Sequence, residues 1–168
     1  MPIADTLRVA RSCHLGDVDV EVDFDEYIPL RFRTYRDALG VGYIRLGDYS
    51  TTLVEITVEP RTQVVRGLTV VSIDRMSPWP PFEVLETLEG LPVLETSFEG
   101  GEVHSLPHDF MVAARPGEVV VLWGGLERCK GYRVGGVCFL IADGTLAGAW
   151  FSNLTAPQIE LFASRAGT

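Results

Sequence analysis

The residues of this chain best suited to chemistry are carboxylates, above all the five set at every second position of "DVDVEVDFD": Asp17, Asp19, Glu21, Asp23 and Asp25. Such a row can hold a cation, attract a basic partner, or form the wet side of a strand. A calcium loop is excluded by spacing, because the D-x-D-x-D-G pattern needs glycine at its sixth position and glutamate at its twelfth. Counted from Asp17 those positions hold Val22 and Ile28; counted from Asp19 they hold Phe24 and Leu30. Same-face residues of a strand also stand about 6.5–7 Å apart, so the row extends over roughly 27 Å, whereas one ion gathers its ligands within about 2.5 Å.

Other reactive types fare no better. His104, His108 and Asp109 lie together in "HSLPHD", but Pro107 opposes the helix that would bring both imidazoles to one face, and no third spaced ligand follows. Neighbours on a strand point to opposite faces, which separates Cys13 from His14, and there is no G-x-S-x-G elbow. Gly40, Gly42 and Gly47 miss the G-x-G-x-x-G spacing and precede β-like sequence instead of a helix that could hold phosphate. No metal, cofactor or catalytic residue is predicted, and the chain reads as non-enzymatic. A site assembled from distant residues escapes spacing arguments. The alternative is therefore a small-molecule-binding β-barrel, an enzyme if polar groups such as Tyr43, Arg45, His104 or Arg133 converge on a cavity.

Charge is more informative than motif. The net charge is −9, and it is unevenly spread. Residues 1–26 carry seven acids and two arginines, and residues 76–110 carry seven acids and no lysine or arginine; the two remaining stretches are slightly basic. That distribution opposes nucleic acid and anionic membranes and attracts a basic protein at long range. Within 76–110, Glu83, Glu86 and Glu89 flank Trp79 and Phe82, with Phe98 further on, which is the composition of aromatic anchors ringed by like charge. The competing reading makes the aromatics core and the glutamates plain solvent contacts.

Elements must position these groups. At 168 residues the chain fits a single globular domain, 1–168, able to bury about two-thirds of its unfolded surface. Period-two alternation at 17–24 and in "IPLRFRTY" predicts two strands. Folded back on each other, they set Phe24 opposite Leu30, Val22 opposite Phe32, Asp23 opposite Arg31 and Glu21 opposite Arg33. Each opposite-charge pair contributes roughly 0.2–1 kcal/mol. Residues 50–74 predict a long hairpin turning at Pro60 to Thr62, and "GEVVVLWG" a strand apolar on both faces. Asp143-Gly144 between apolar runs predicts a two-residue turn.

Near the end the period changes. Ile159, Phe162, Ala163 and Ala166 share a helical face, Thr155 and Gln158 form a capping box, and Gly167 is the stop, so a short helix is predicted over 155–166. Pro81, the three-residue spacing of Phe82, Leu85 and Leu88, and Gly90 predict a second short helix at 81–89. The expected architecture is mainly β, an antiparallel open barrel or sandwich closed by the C-terminal helix.

No residue-level repeat, charged-then-apolar leader or long apolar run is present, and the three cysteines lack C-x-x-C spacing. A cytoplasmic location is expected. The function expected is capture of a basic protein partner, as an immunity protein neutralises a cationic toxin. Its binding residues would be Asp17, Asp19, Glu21, Asp23, Asp25, Trp79, Phe82, Glu83, Glu86 and Glu89.

Overall fold

The alternating segments do form a hairpin. In the computed structural model, which describes residues 3–14, 16, 19–34, 40–125 and 127–166, β2 (Glu21–Asp23) pairs antiparallel with β3 (Leu30–Arg33). The register is the one charge and hydrophobicity demand, with Glu21 opposite Arg33, Val22 opposite Phe32 and Asp23 opposite Arg31. The expected Phe24–Leu30 pair is replaced by a turn, in which the Asp25 amide donates to the Ile28 carbonyl at 3.1 Å. Asp17 and Tyr35 lie outside the described residues.

Around this hairpin grows a six-stranded sheet in the order β2-β3-β6-β5-β4-β9, with β4 (Gly42–Gly47), β5 (Leu53–Val58), β6 (Val65–Ser72) and β9 (Val103–Leu106). The hairpin predicted at 50–74 is β5–β6, and Val54, Ile56 and Val58 form its fully buried stripe. A second six-stranded sheet runs β10-β11-β14-β13-β12-β7. It comprises β7 (Glu83–Glu89), β10 (Met111–Arg115), β11 (Glu118–Leu122), β12 (Arg128–Val134), β13 (Val137–Ala142) and β14 (Thr145–Phe151). β1 (Val9–Cys13) and β8 (Leu91–Leu94) make a separate two-stranded ladder, preceded by the short helix α1 (Ile3–Thr6).

The two large sheets have the same plan. Each consists of a hairpin, β2–β3 or β10–β11, joined antiparallel to the last strand of a three-stranded meander, β4–β5–β6 or β12–β13–β14. Each is completed by a parallel edge strand, β9 or β7, beside the first meander strand. Both completing strands come from the segment between the two units, so each unit finishes its sheet with chain that leads toward or from the other.

One apolar core lies between the sheets, and Phe32 of β3 meets Phe139 of β13 edge-on across it, centroids 5.6 Å apart. The sheets are packed face to face and are not closed into a barrel. Alternation sends Val119 and Val121 of β11 into this core and Val120 and Leu122 to the opposite face. There they join Cys129, Cys138 and Leu140 in a second apolar cluster that accounts for the doubly apolar sequence of β11. The Asp143-Gly144 turn takes positive φ at both residues, 50° and 76°, as a two-residue hairpin requires.

The C-terminal helix, α2 (Ala156–Ser164), has the Thr155–Gln158 capping box. Phe162 is fully buried and packs edge-on against Phe24, with Ile159 and Ala166 beside the core; Ala163, expected on that face, is exposed. Arg165 is the C-cap, and Gly167 lies outside the described residues.

The helix predicted at 81–89 is not formed. Residues 83–89 are the strand β7, hydrogen-bonded in parallel to β12. The three-residue period of Phe82, Leu85 and Leu88 is not a buried stripe, since Phe82 packs on the second apolar cluster while Leu85 and Leu88 are exposed. A register shift opposite Cys129 and Lys130 inserts Leu85 as an extra residue, so Val84 and Thr87, three apart, pair with Cys129 and Gly131 on one face.

Candidate partner-binding edge

Of the carboxylates in the odd-numbered row, Asp19 and Asp25 are exposed and Glu21 and Asp23 half-buried, while Val20, Val22 and Phe24 pack against the core. Arg33 serves two of them, its Nε 2.7 Å from Glu21 and its Nη2 3.7 Å from Asp23. Asp25 is a turn-former: its Oδ1 accepts the amides of Tyr27 and Ile28 at 2.7 and 2.5 Å, which lowers its pKa. Glu21, Asp23 and Asp25 are thus engaged by their own neighbours.

The second acidic surface is more open. β7 is the terminal strand of its sheet, and its burial pattern is that of a strand facing water on nearly every side. Glu83, Glu86 and Glu89 have side chains 66%, 54% and 85% exposed. Bases absent from the local sequence arrive from elsewhere, with Arg128 at 3.9 Å, Lys130 at 3.8 Å and His14 at 3.5 Å. At those distances and exposures, such pairs hold little energy and exchange readily for other partners. Leu85 and Leu88, on the same strand, are 57% and 42% exposed.

Trp79 and Phe82 lead into β7 and are half-buried over the second apolar cluster. Phe82 meets Trp150 edge-on, and the Arg115 guanidinium lies 4.1 Å above the Trp79 ring, tied also to Glu118. Trp150 Nε1 donates to the other oxygen of Glu118 at 2.8 Å. Between these rings and Glu83, Val84 and Thr87 of β7 runs an open cleft of about 550 Å³. The structure therefore brings Trp79, Phe82 and Glu83 together at this cleft, and Glu86 and Glu89 follow further along the same strand. Phe98 does not join them: it is core, and its amide and carbonyl bond the Gln63 side chain.

The two acidic surfaces approach each other at one corner. His14 faces Glu89, and Val20, just before β2, stands closest to Gly135, which with Arg133 walls the same cleft as His14 and Glu89. The bulge at Leu85 breaks the alternation of β7, and its parallel partner β12 lies some forty residues further along the chain, so neither was open to local reading.

The remaining reactive groups are otherwise occupied. His14 accepts the Gly16 amide at Nδ1 and turns Nε2 to Glu89, which leaves neither nitrogen for Cys13. Burial pushes the Cys129 thiol up to about 11 and raises that of Cys138. His104 bonds Glu102 and packs against the Phe98 ring at a tilt of 44°, and His108 contacts the Trp123 carbonyl. Among the described residues, no three His, Cys, Asp or Glu side chains converge as a metal site needs. Tyr43, Arg45 and His104 belong to one large sheet and Arg133 to the other, so the four do not converge; Arg45 pairs with Glu55 at 2.9 Å.

Fold and edge together describe a two-sheet β sandwich with an acidic, aromatic-flanked terminal strand. Comparison with protein-family models and with curated proteins found no match for this chain. Among the described residues no helix is long and apolar enough to cross a membrane.

Proposed function

We propose that this chain is a non-enzymatic binding protein whose acidic β7 edge captures a basic protein partner, in the manner of an immunity protein that neutralises a cationic toxin. The observation carrying this reading is that Glu83, Glu86 and Glu89, each more than half exposed, share one sheet-edge strand with exposed Leu85 and Leu88. Charge supplies long-range attraction, and the leucines and the Trp79–Phe82 cleft supply apolar contact. The described carboxylates of 19–25, next to Val20 at Gly135, extend the negative field around the His14–Gly135 corner. The same field disfavours nucleic acid and anionic membranes. Three free cysteines, two of them buried, support a reducing compartment such as the cytoplasm.

The test is direct binding to a panel of purified basic proteins, with acidic proteins of matched size as controls, at about 50 mM and about 500 mM NaCl. Selective binding that weakens with salt, and is lost in the Glu83→Lys/Glu86→Lys/Glu89→Lys variant, is expected. Binding indifferent to salt or to that variant overturns the proposal, as does failure to bind any basic member.

A further inference from the structure

Four strands end the two large sheets, and they are not equally open. β2 is three residues long and β9 four. The outer side of β10 is covered, since Met76 bridges Val112 in parallel and the Ser77 amide donates to the Val112 carbonyl at 2.8 Å. β7, at seven residues, is the longest, and among the described residues no strand other than β12 is hydrogen-bonded to it, with His14 meeting it at Glu89. Past its bulge at Leu85, the regular run of residues 86–89 is the part of this edge that can template the pairing of another chain.

We infer that β7 receives its partner by strand addition: an extended segment alternating basic and apolar residues lies along the free edge and continues the sheet. The inference deepens the proposed function and rests on it. Register puts Glu86 and Leu88 on the face of Lys130 and Tyr132, and Thr87 and Glu89 on that of Gly131 and Arg133. An added strand therefore meets a carboxylate on each face, with Leu88 between them in sequence. Main-chain hydrogen bonds supply affinity in this mode, and the alternating side chains supply selectivity.

Charge decides the occupant. A second copy pairing through β7 would bring "EVLETLE" against itself, with three glutamates on each side and no base within either strand. Like charges opposed across strands are destabilising, so the edge rejects its own kind and accepts a cationic strand.

The experiment uses the full chain and an eight-residue peptide alternating lysine and valine, compared with the same peptide N-methylated on alternate backbone amides. Expected are binding of the first peptide, slowed hydrogen exchange confined to amides of residues 84–89, and weakening by at least about tenfold on N-methylation, which removes main-chain hydrogen bonds. The Glu83→Lys/Glu86→Lys/Glu89→Lys variant should lose binding, and Glu86→Gln alone should weaken it should the triple variant not fold. Equal binding of the methylated peptide overturns strand addition while leaving acidic capture standing. Failure of both peptides, together with failure of the basic protein panel, overturns both. Protection of β7 that grows with protein concentration without peptide overturns the choice of occupant in favour of a second copy.

Discussion

One guanidinium on β3 spans two carboxylates on β2: Arg33 Nε stands 2.7 Å from Glu21 Oε2, and its Nη2 lies 3.7 Å from Asp23. The pair is the charged counterpart of the apolar pair on the other face of the same ladder, half-buried Val22 against buried Phe32. A double-mutant cycle of Arg33→Ala with Glu21→Gln, read from urea midpoints, should give a coupling of roughly 0.2–1 kcal/mol, toward the lower end because both groups are about one-third exposed. A coupling of zero would mean that the register is set by the apolar face alone.

Thiol reactivity follows from the second apolar cluster. With Cys129 and Cys138 buried and their pKa values raised, one thiol, Cys13, should react with a disulfide reagent at pH 8 in the folded protein, and three in denaturant. The folded state retains the Cys129 proton between its ordinary value of 9.0 and about 11, so this group's contribution to stability is full below pH 9 and is lost as pH rises through that window. Rapid reaction of all three thiols in the native protein would contradict the packing of that cluster.

Asp48 behaves oppositely. Its Oδ1 accepts the amides of Ser50, Thr51 and Thr52 at 2.8, 2.8 and 2.9 Å, and Oδ2 accepts the Thr51 hydroxyl at 2.6 Å, which together hold its pKa far below the ordinary 3.8. Its stabilising contribution is present above pH 3.8 and lost as pH falls through the lower native value. Asp48→Ala should lower stability at pH 7 and flatten the acid limb of the stability curve, with Asp48→Asn restoring part of the loss. A pH profile unchanged by Asp48→Ala would remove this turn from the acid response.

The centre of the second sheet is close-packed. A Cβ on Gly148 would overlap the Val121 carbonyl and Leu122, whereas one on Gly125 meets nothing within 4 Å. Gly148→Ala should therefore destabilise by about 1–3 kcal/mol, and Gly125→Ala should fall within about ±0.5 kcal/mol. Thermal or urea unfolding of both variants distinguishes them, and equal effects would count against the described β11–β14 spacing.

How much of this was legible in sequence depends on the range of the interaction involved. The β2–β3 register, the Asp143-Gly144 turn and the Thr155 capping box are each specified by residues within a dozen positions, so alternation, turn chemistry and cap spacing reveal them. Residues 81–89 mark the boundary of that legibility. Their three-residue spacing reads as a helical face, but the strand they form is set by pairing with β12, which begins some forty residues later and which no local pattern announces. The cations beside Glu83 and Glu86, the second cluster under Trp79, and the burial of Phe98 are likewise contacts between distant segments. The sequence alone determined a β protein with an acidic surface, because side-chain period and charge are written residue by residue. Only the tertiary structure decided that residues 83–89 form a terminal strand, because an edge exists solely through the neighbours that do and do not arrive beside it.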